Sequence, residues 1–329
     1  MSTENNTGLK VFFLLVFFII SVLMGILFGS TGLLFGETTG FTELLYLRLP
    51  RVLAALITGG ALAICGAALQ SILENPLAEP YLLGVSGGAV LGGTIWIITG
   101  AFLADSVSGI RLFSFGGALS SVFLLLYINK SQGRLSPVNM LLTGVIFNGF
   151  VSAAVTIFKA FIPAVKLQKV TLWLSGYIPY LVFEDIITET IIVLIISFLL
   201  LLEAPKLNII SLGDDVAYTS GINVNNLRKR VFIYTSLLTG IVVSLTGLIG
   251  FVGLIVPQML RFLGLINNRY LMPLSFITGG AFVVISDLIS RLISGFCGFE
   301  PPISAITAVA GCPLFVILLR DYYREKGGE

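Results

Sequence analysis

One apolar run, Val52 to Leu73, constrains what this chain can fold into more than any other feature. At about 1.5 Å per residue, a helix of some twenty apolar residues covers the roughly 30 Å hydrocarbon layer of a bilayer. Arg48-Leu-Pro-Arg51 precedes the run. Glu74-Asn-Pro-Leu-Ala-Glu-Pro80 follows it, where Pro76 and Pro80 forbid a regular continuation. A membrane-crossing helix thus carries an arginine pair at one end and a rigid polar turn at the other.

The remainder of the chain has the same character. Further apolar runs cover Val11 to Gly29, Ser86 to Leu103, Leu112 to Ile128 and Val138 to Phe158. A second set covers Thr188 to Leu202, Val231 to Ile249, Phe251 to Leu263, Pro273 to Ser290 and Pro302 to Leu319. The Phe251 run is too short for an ordinary span and reads as a short or steeply packed helix. With 56% hydrophobic and 11% charged residues, the chain departs from a soluble domain, where about 25% are charged. The expected fold is an all-α integral membrane protein of about ten transmembrane helices, forming one permease-sized domain over residues 1–329. The first run, longer than the roughly 7–15 residues of a signal-peptide core, reads as an uncleaved helix.

An even number of spans puts both termini on one side. The larger share of the 19 basic residues then falls on that side, which the positive-inside rule makes cytoplasmic. Arg48, Arg51, Arg111, Lys159, Lys166, Lys169 and Arg291 fall opposite, an excess that asks for an explanation. The net charge of +2 and the scatter of basic residues exclude a nucleic-acid partner. There is no histidine, and Cys65, Cys297 and Cys312 form no C-x-x-C pair, which speaks against a metal cluster. A Cys297–Cys312 bridge stays open.

Two connections exceed a simple turn. Phe161 to Asp185 holds Trp173-Leu-Ser-Gly176, Tyr177, Tyr180 and Phe183, as for a segment at a membrane interface. The connector at about residues 205–230 is read as cytoplasmic. There Asp214-Asp-Val-Ala-Tyr-Thr-Ser-Gly221 reads as a short helix with acids in its first turn and a glycine at its end. Asn223-Val-Asn-Asn226 can cap a second short helix leading into Arg228-Lys-Arg230. The pair forms either a docking surface or a solvated link.

Arg48-Leu-Pro-Arg51, Gly59-Gly-Ala-Leu62, Gly66-Ala-Ala-Leu-Gln70, Asn75-Pro-Leu-Ala-Glu-Pro80 and Leu83-Gly-Val-Ser-Gly-Gly-Ala89 closely resemble the FecCD-type permeases of ABC importers for iron-siderophore chelates, haem and vitamin B12. The second half agrees in order and spacing through Ser211-Leu-Gly213, Gly247-Leu-Ile-Gly-Phe-Val-Gly-Leu254, Pro257, Arg261, Asp287, Arg291 and Gly311-Cys-Pro313. The chain departs at Gln258, at Glu300-Pro-Pro-Ile-Ser304 and at Tyr177.

The resemblance implies two inverted halves in the vitamin B12 permease fold, a second copy of the chain forming a dimer with the pathway at its interface, and an extracytoplasmic substrate-binding protein. It also implies two separate ABC ATPase subunits that bind the ATP, leaving this chain without a cofactor. Independently, no G-x-x-x-x-G-K-[ST] loop occurs here. ATPase coupling maps to Asp214, Asp215, Ala217, Ser220, Gly221 and Asn223. Arg48, Arg51 and Arg291, at outer ends of spans, map to docking points for acids of the binding protein. Lipid-headgroup anchoring explains the first two as well, and pairing with Asp287 four residues earlier explains Arg291.

Gln70, Asn75, Asn148, Gly247, Gly250 and Pro257 are candidate pathway or gate residues. Helix packing and interhelical hydrogen bonds account for them equally. Gly84, Gly88 and Gly92 recur at a spacing that lets helices approach closely. A secondary transporter of a small organic substrate is the alternative function, yet Asp287 is nearly alone within the spans. An integral-membrane enzyme lacks a nucleophile–base constellation here.

Overall fold

The computed structural model describes residues 2–29, 32–33, 44–99, 107–130, 136–179, 181 and 183–326. Its helices are α1 (Ser2–Leu27), α2 (Leu49–Ile72), α3 (Val85–Thr99), α4 (Val107–Lys130), α5 (Pro137–Ala160), α6 (Ala164–Leu174) and α7 (Phe183–Leu201), followed by α8 (Ala204–Ile210), α9 (Asp214–Thr219), α10 (Val224–Thr246), α11 (Val252–Phe262), α12 (Asn268–Cys297) and α13 (Ile303–Lys326). A two-residue antiparallel pair, β1 (Phe28–Gly29) with β2 (Gly32–Leu33), follows α1. The all-α expectation holds apart from that pair.

Each expected run overlaps a helix; the run from Val11 ends in β1, and residues 100–103 of the run from Ser86 lie outside the described residues. Six helices, α1, α2, α4, α5, α10 and α12, are long and apolar enough to cross a membrane. A seventh span forms if α7 and α8 count together across their 44° bend, and three shorter apolar helices lie at Val85–Thr99, Val252–Phe262 and Ile303–Pro313. Apolar composition alone does not say what surrounds a helix. In the apolar windows of α1 and α2, 11% and 89% respectively are buried in protein, so α1 faces outward and α2 is a core helix.

By contacts the chain forms two compact units. One takes Met1–Ala67, Ile178–Ile191 and Gly250–Glu329, the other Ala68–Tyr177 and Ile192–Ile249. Neither unit coincides with one of the two sets of five runs. In the first unit, α12 packs on α1, α11 and α13. Gly66 of α2 lies against the Gly253 carbonyl, where any Cβ would overlap backbone. Lipid tails are as apolar as the helices, so association rests on such close packing.

In the second unit, α3 packs on α4, α5, α6 and α10. Gly88 and Gly92 of α3 lie against the Gly117 and Phe113 carbonyls of α4, fulfilling the spacing argument for that pair. Gly84 differs. It closes the 3-10 turn Pro80–Leu83 at φ 79, a left-handed conformation that favours glycine. The segment 161–185 contains α6, and Trp173 packs against Val90, Val151 and Val155. Tyr180 lies outside the described residues.

Two of the three shorter apolar helices, α3 and α11, receive a lysine at their C-terminal ends, where carbonyls lack intrahelical donors. Lys166 Nζ donates to the Ile98 carbonyl of α3, and Lys10 Nζ to the Leu263 carbonyl after α11, each at 2.6 Å.

Candidate functional site

The Arg48-Leu-Pro-Arg51 motif enters the structure as a π-helical turn, Leu44–Arg48, running into α2. Pro50 sits in the first turn of α2, where a missing N–H costs nothing. Arg51 projects into the first unit and makes a two-sided contact. Its Nε donates to Asp287 Oδ1 at 2.9 Å, while Nη1 and Nη2 meet Glu300 Oε1 and Oε2 at 3.2 and 3.0 Å. The second contact is a bidentate fork, the geometry that suits guanidinium to carboxylate. Asp287 also takes an ion pair from Arg291, one helical turn on, at 2.9 Å.

The remaining arginine donors close the end of α1. Arg291 Nη1 and Nη2 donate to the Phe28 and Gly25 carbonyls at 3.0 Å each, and Arg48 Nη1 to the Ile26 and Leu27 carbonyls at 3.3 and 3.0 Å. These carbonyls are the ones a helix ending at Leu27 leaves without partners, and they carry its negative pole. Arg48, Arg51 and Arg291 were expected at the membrane surface, facing a partner. The structure corrects this placement: they are 5%, 2% and 4% exposed, and Asp287 is fully buried. The physical reason is that a charge held out of water is tolerated only when paired, and the pairs are internal.

Sequence reading did not select Glu300. Glu300 stands in the connection between two apolar runs, where an acid is ordinarily solvated, so no local signal marked it. Ser290 Oγ donates to the Pro301 carbonyl at 2.6 Å, fastening the loop that carries Glu300.

The connector is built differently. The expected helix at Asp214 is present as α9, and it ends as expected at Gly221, φ 78. The Gly221 N–H donates to the Tyr218 carbonyl and the Ile222 N–H to the Ala217 carbonyl, both at 3.0 Å, a Schellman closure. Ala217 is the buried face of α9, whereas Asp215 and Ser220 are exposed, Ser220 Oγ returning to the Val216 carbonyl. Asn223 caps a helix, its side chain accepting from the Asn226 N–H at 3.0 Å. That helix is the whole of α10. A separate short helix over 223–230 is therefore corrected: the polar stretch is the first two turns of a 23-residue helix. The expected loop also begins one helix later than supposed, because α8 occupies Ala204–Ile210.

Ion pairs fasten these pieces. Arg228 Nη2 lies 2.9 Å from Asp214 Oδ1, and Glu203 takes Arg230 Nε at 3.0 Å and Lys206 Nζ at 2.8 Å. Leu212, Val216 and Tyr218 are left 71%, 42% and 44% exposed on this segment.

Each candidate pathway residue has a defined local environment. Asn148 Nδ2 donates to the Tyr81 carbonyl at 2.7 Å, an interhelical tether, and Tyr81 Oη accepts from the Ile249 N–H at 2.9 Å. Asn75 Oδ1 accepts from the Leu77 N–H within its turn. Gln70 is buried, and its carbonyl accepts from the Asn75 N–H at 3.2 Å. Gly247 breaks the chain after α10 at φ 70, with the neighbouring Thr246 carbonyl accepting from Tyr177 N–H at 2.8 Å. The Gly250 carbonyl accepts from Thr307 Oγ1 at 3.1 Å. Pro257 lies buried inside α11, in its second turn, where it supplies no N–H for the Gly253 carbonyl.

Cys65, Cys297 and Cys312 are free thiols. Among the described residues no group of three His, Cys, Asp or Glu could hold a metal ion.

The family model of the FecCD transport family matches residues 9–321. The ABC transporter permease protein YvrB of Bacillus subtilis is 34% identical, covering 94% of this chain and 92% of its own length. The cobalamin import system permease BtuC of Halobacterium salinarum is 34% identical over 84% of this chain and 72% of its own. The molybdate import system permease MolB of Haemophilus influenzae is 34% identical over 85% and 81%. In structure the chain resembles an inward-facing metal-chelate type ABC transporter with a TM-score of 0.87 and 28% identity, covering 95% of this chain and 99% of that one. Sequence match and shared fold extend over nearly the whole molecule, so the chain belongs to the FecCD transport family and is a multi-pass membrane permease of the ABC-importer type.

Proposed function

We propose that this permease imports a metal chelate of the iron–siderophore kind, as one transmembrane domain paired with a second copy of itself. Two ABC ATPase subunits, which bind the ATP, dock on the cytoplasmic connector, and an extracytoplasmic binding protein delivers the chelate. Both termini then lie in the cytoplasm, in the cell membrane.

The observation that carries the reading is the connector surface. Leu212, Val216 and Tyr218 are exposed on a short, ionically braced segment, where a solvated link would show polar side chains. Apolar side chains on a fixed frame suit a protein partner. The metal-chelate type structural neighbour supports the substrate, while the cobalamin and molybdate relatives define the competitors.

The secondary-transporter alternative would use an ionisable group inside the membrane. Asp287 is the candidate, and it is held by Arg51 and Arg291. Arg48, Arg51 and Arg291 are not carried forward as docking groups, because each is committed to internal partners.

The test is uptake by proteoliposomes containing the permease, its ATPase subunit and binding protein, offered a ferric siderophore, cobalamin or molybdate in parallel. ATP-dependent accumulation of the ferric chelate alone is expected. Accumulation without the ATPase, or of cobalamin or molybdate instead, overturns the corresponding part.

A further inference from the structure

Glu203 and Asp214 bracket the short helix α8, one just before it and one four residues beyond its end. Both reach the same helix. Asp214 takes Arg228 and Glu203 takes Arg230, two residues further along α10. At about 100° per residue, positions two apart on a helix point some 200° apart. The first turns of α10 are therefore gripped from opposite faces by the residue that precedes α8 and the residue that opens α9.

The pairs differ in surroundings. The Arg228 side chain is 6% exposed against 40% for Asp214, whereas Arg230 is 46% exposed against 8% for Glu203. In each, a nearly buried charge is met by a half-exposed one. Beyond the grip, α10 runs on through buried positions including Thr235, Leu238 and Val242 to the Gly247 break. Its 23 residues extend about 34 Å. A load on α9 thus enters a stiff rod at a charged joint.

We propose that Arg228 and Asp214 form a transmission joint, a pair of positioning residues that pass movement of α9 into α10 without touching nucleotide or substrate. This deepens the coupling role proposed above and rests on it. Apolar contacts on α9 hold the ATPase. The ion pair makes α10 follow.

The experiment uses the permease reconstituted with its ATPase subunit and binding protein, and reads chelate imported per ATP hydrolysed. Arg228→Gln and, independently, Asp214→Asn should lower that ratio at least about fivefold, the lower end of ordinary coupling energies. Arg228→Lys, or the exchange of Asp214→Arg with Arg228→Asp, should restore at least about half of the ratio.

A wild-type ratio in Asp214→Asn overturns the joint. So does a fall that neither the conservative variant nor the exchange repairs, since the charge pair is then not what matters. Should Arg228→Gln fail to fold, Asp214→Asn decides, because its acid is partly in solvent. Failure of the wild-type permease to retain an ATPase would instead refute the coupling role itself.

Discussion

The molecule contains two ionic clusters with the same residue types and different physics. In the first unit, Arg51, Arg291 and Asp287 are 4% exposed or less, with Glu300 at their edge. In the second, each ion pair of the connector includes a partner 40–46% exposed. Water screens the connector pairs, so each contributes up to about 1 kcal/mol. The arginine cluster has little water to fall back on, and removing Asp287 takes from Arg291 its carboxylate and from Arg51 one of two. One cluster is sealed from water, and the other is formed at its edge.

That contrast can be broken most sharply at Asp287. Asp287→Asn leaves Arg51 and Arg291 without their shared counter-charge and should cost about 3–5 kcal/mol. Thermal unfolding in detergent should show a large loss. A near-wild-type melting temperature would mean that water reaches the cluster.

Gly221→Pro tests the connector through its backbone. Proline cannot adopt φ 78 and has no N–H for the Tyr218 carbonyl, a penalty of about 3 kcal/mol confined to the α9 turn. Coupled uptake should collapse while global melting moves less than in Asp287→Asn. Unchanged uptake would detach the turn from function.

Glu300→Gln probes the edge of the arginine cluster, where the carboxylate is 19% exposed. It should cost about 1–2 kcal/mol, less than Asp287→Asn because solvent can compensate. Equal losses at the two positions would erase the distinction between centre and edge. Glu203→Gln should have the smallest effect, about 1 kcal/mol or less, and one further reduced by salt. A salt-independent loss of several kcal/mol there would place the connector in the same class as the arginine cluster.

Much of the fold was legible because hydrophobic length is a local property. A run such as Val52 to Leu73 announces a span without reference to anything else. The ordered glycine and proline motifs carried the family in the same way. The environment of the arginines was not legible. Arg51 meets Asp287 across 236 residues and Glu300 across 249, and no local pattern says that those carboxylates return to it. The Asn223 cap was read correctly, but the length of its helix was not. Arg228-Lys-Arg230 looks like a boundary in sequence and is interior helix in space, its charges taken up by Asp214 and Glu203.

The capture of the α1 end by Arg291 has a consequence for biosynthesis. The Gly25 carbonyl and the guanidinium that receives it are 266 residues apart. At about 5–20 residues per second, a ribosome needs on the order of tens of seconds to connect them. During that interval Arg48 can already serve the Ile26 and Leu27 carbonyls, whereas the Gly25 and Phe28 carbonyls wait for Arg291, so the end of the first helix is completed in two stages separated by most of the chain.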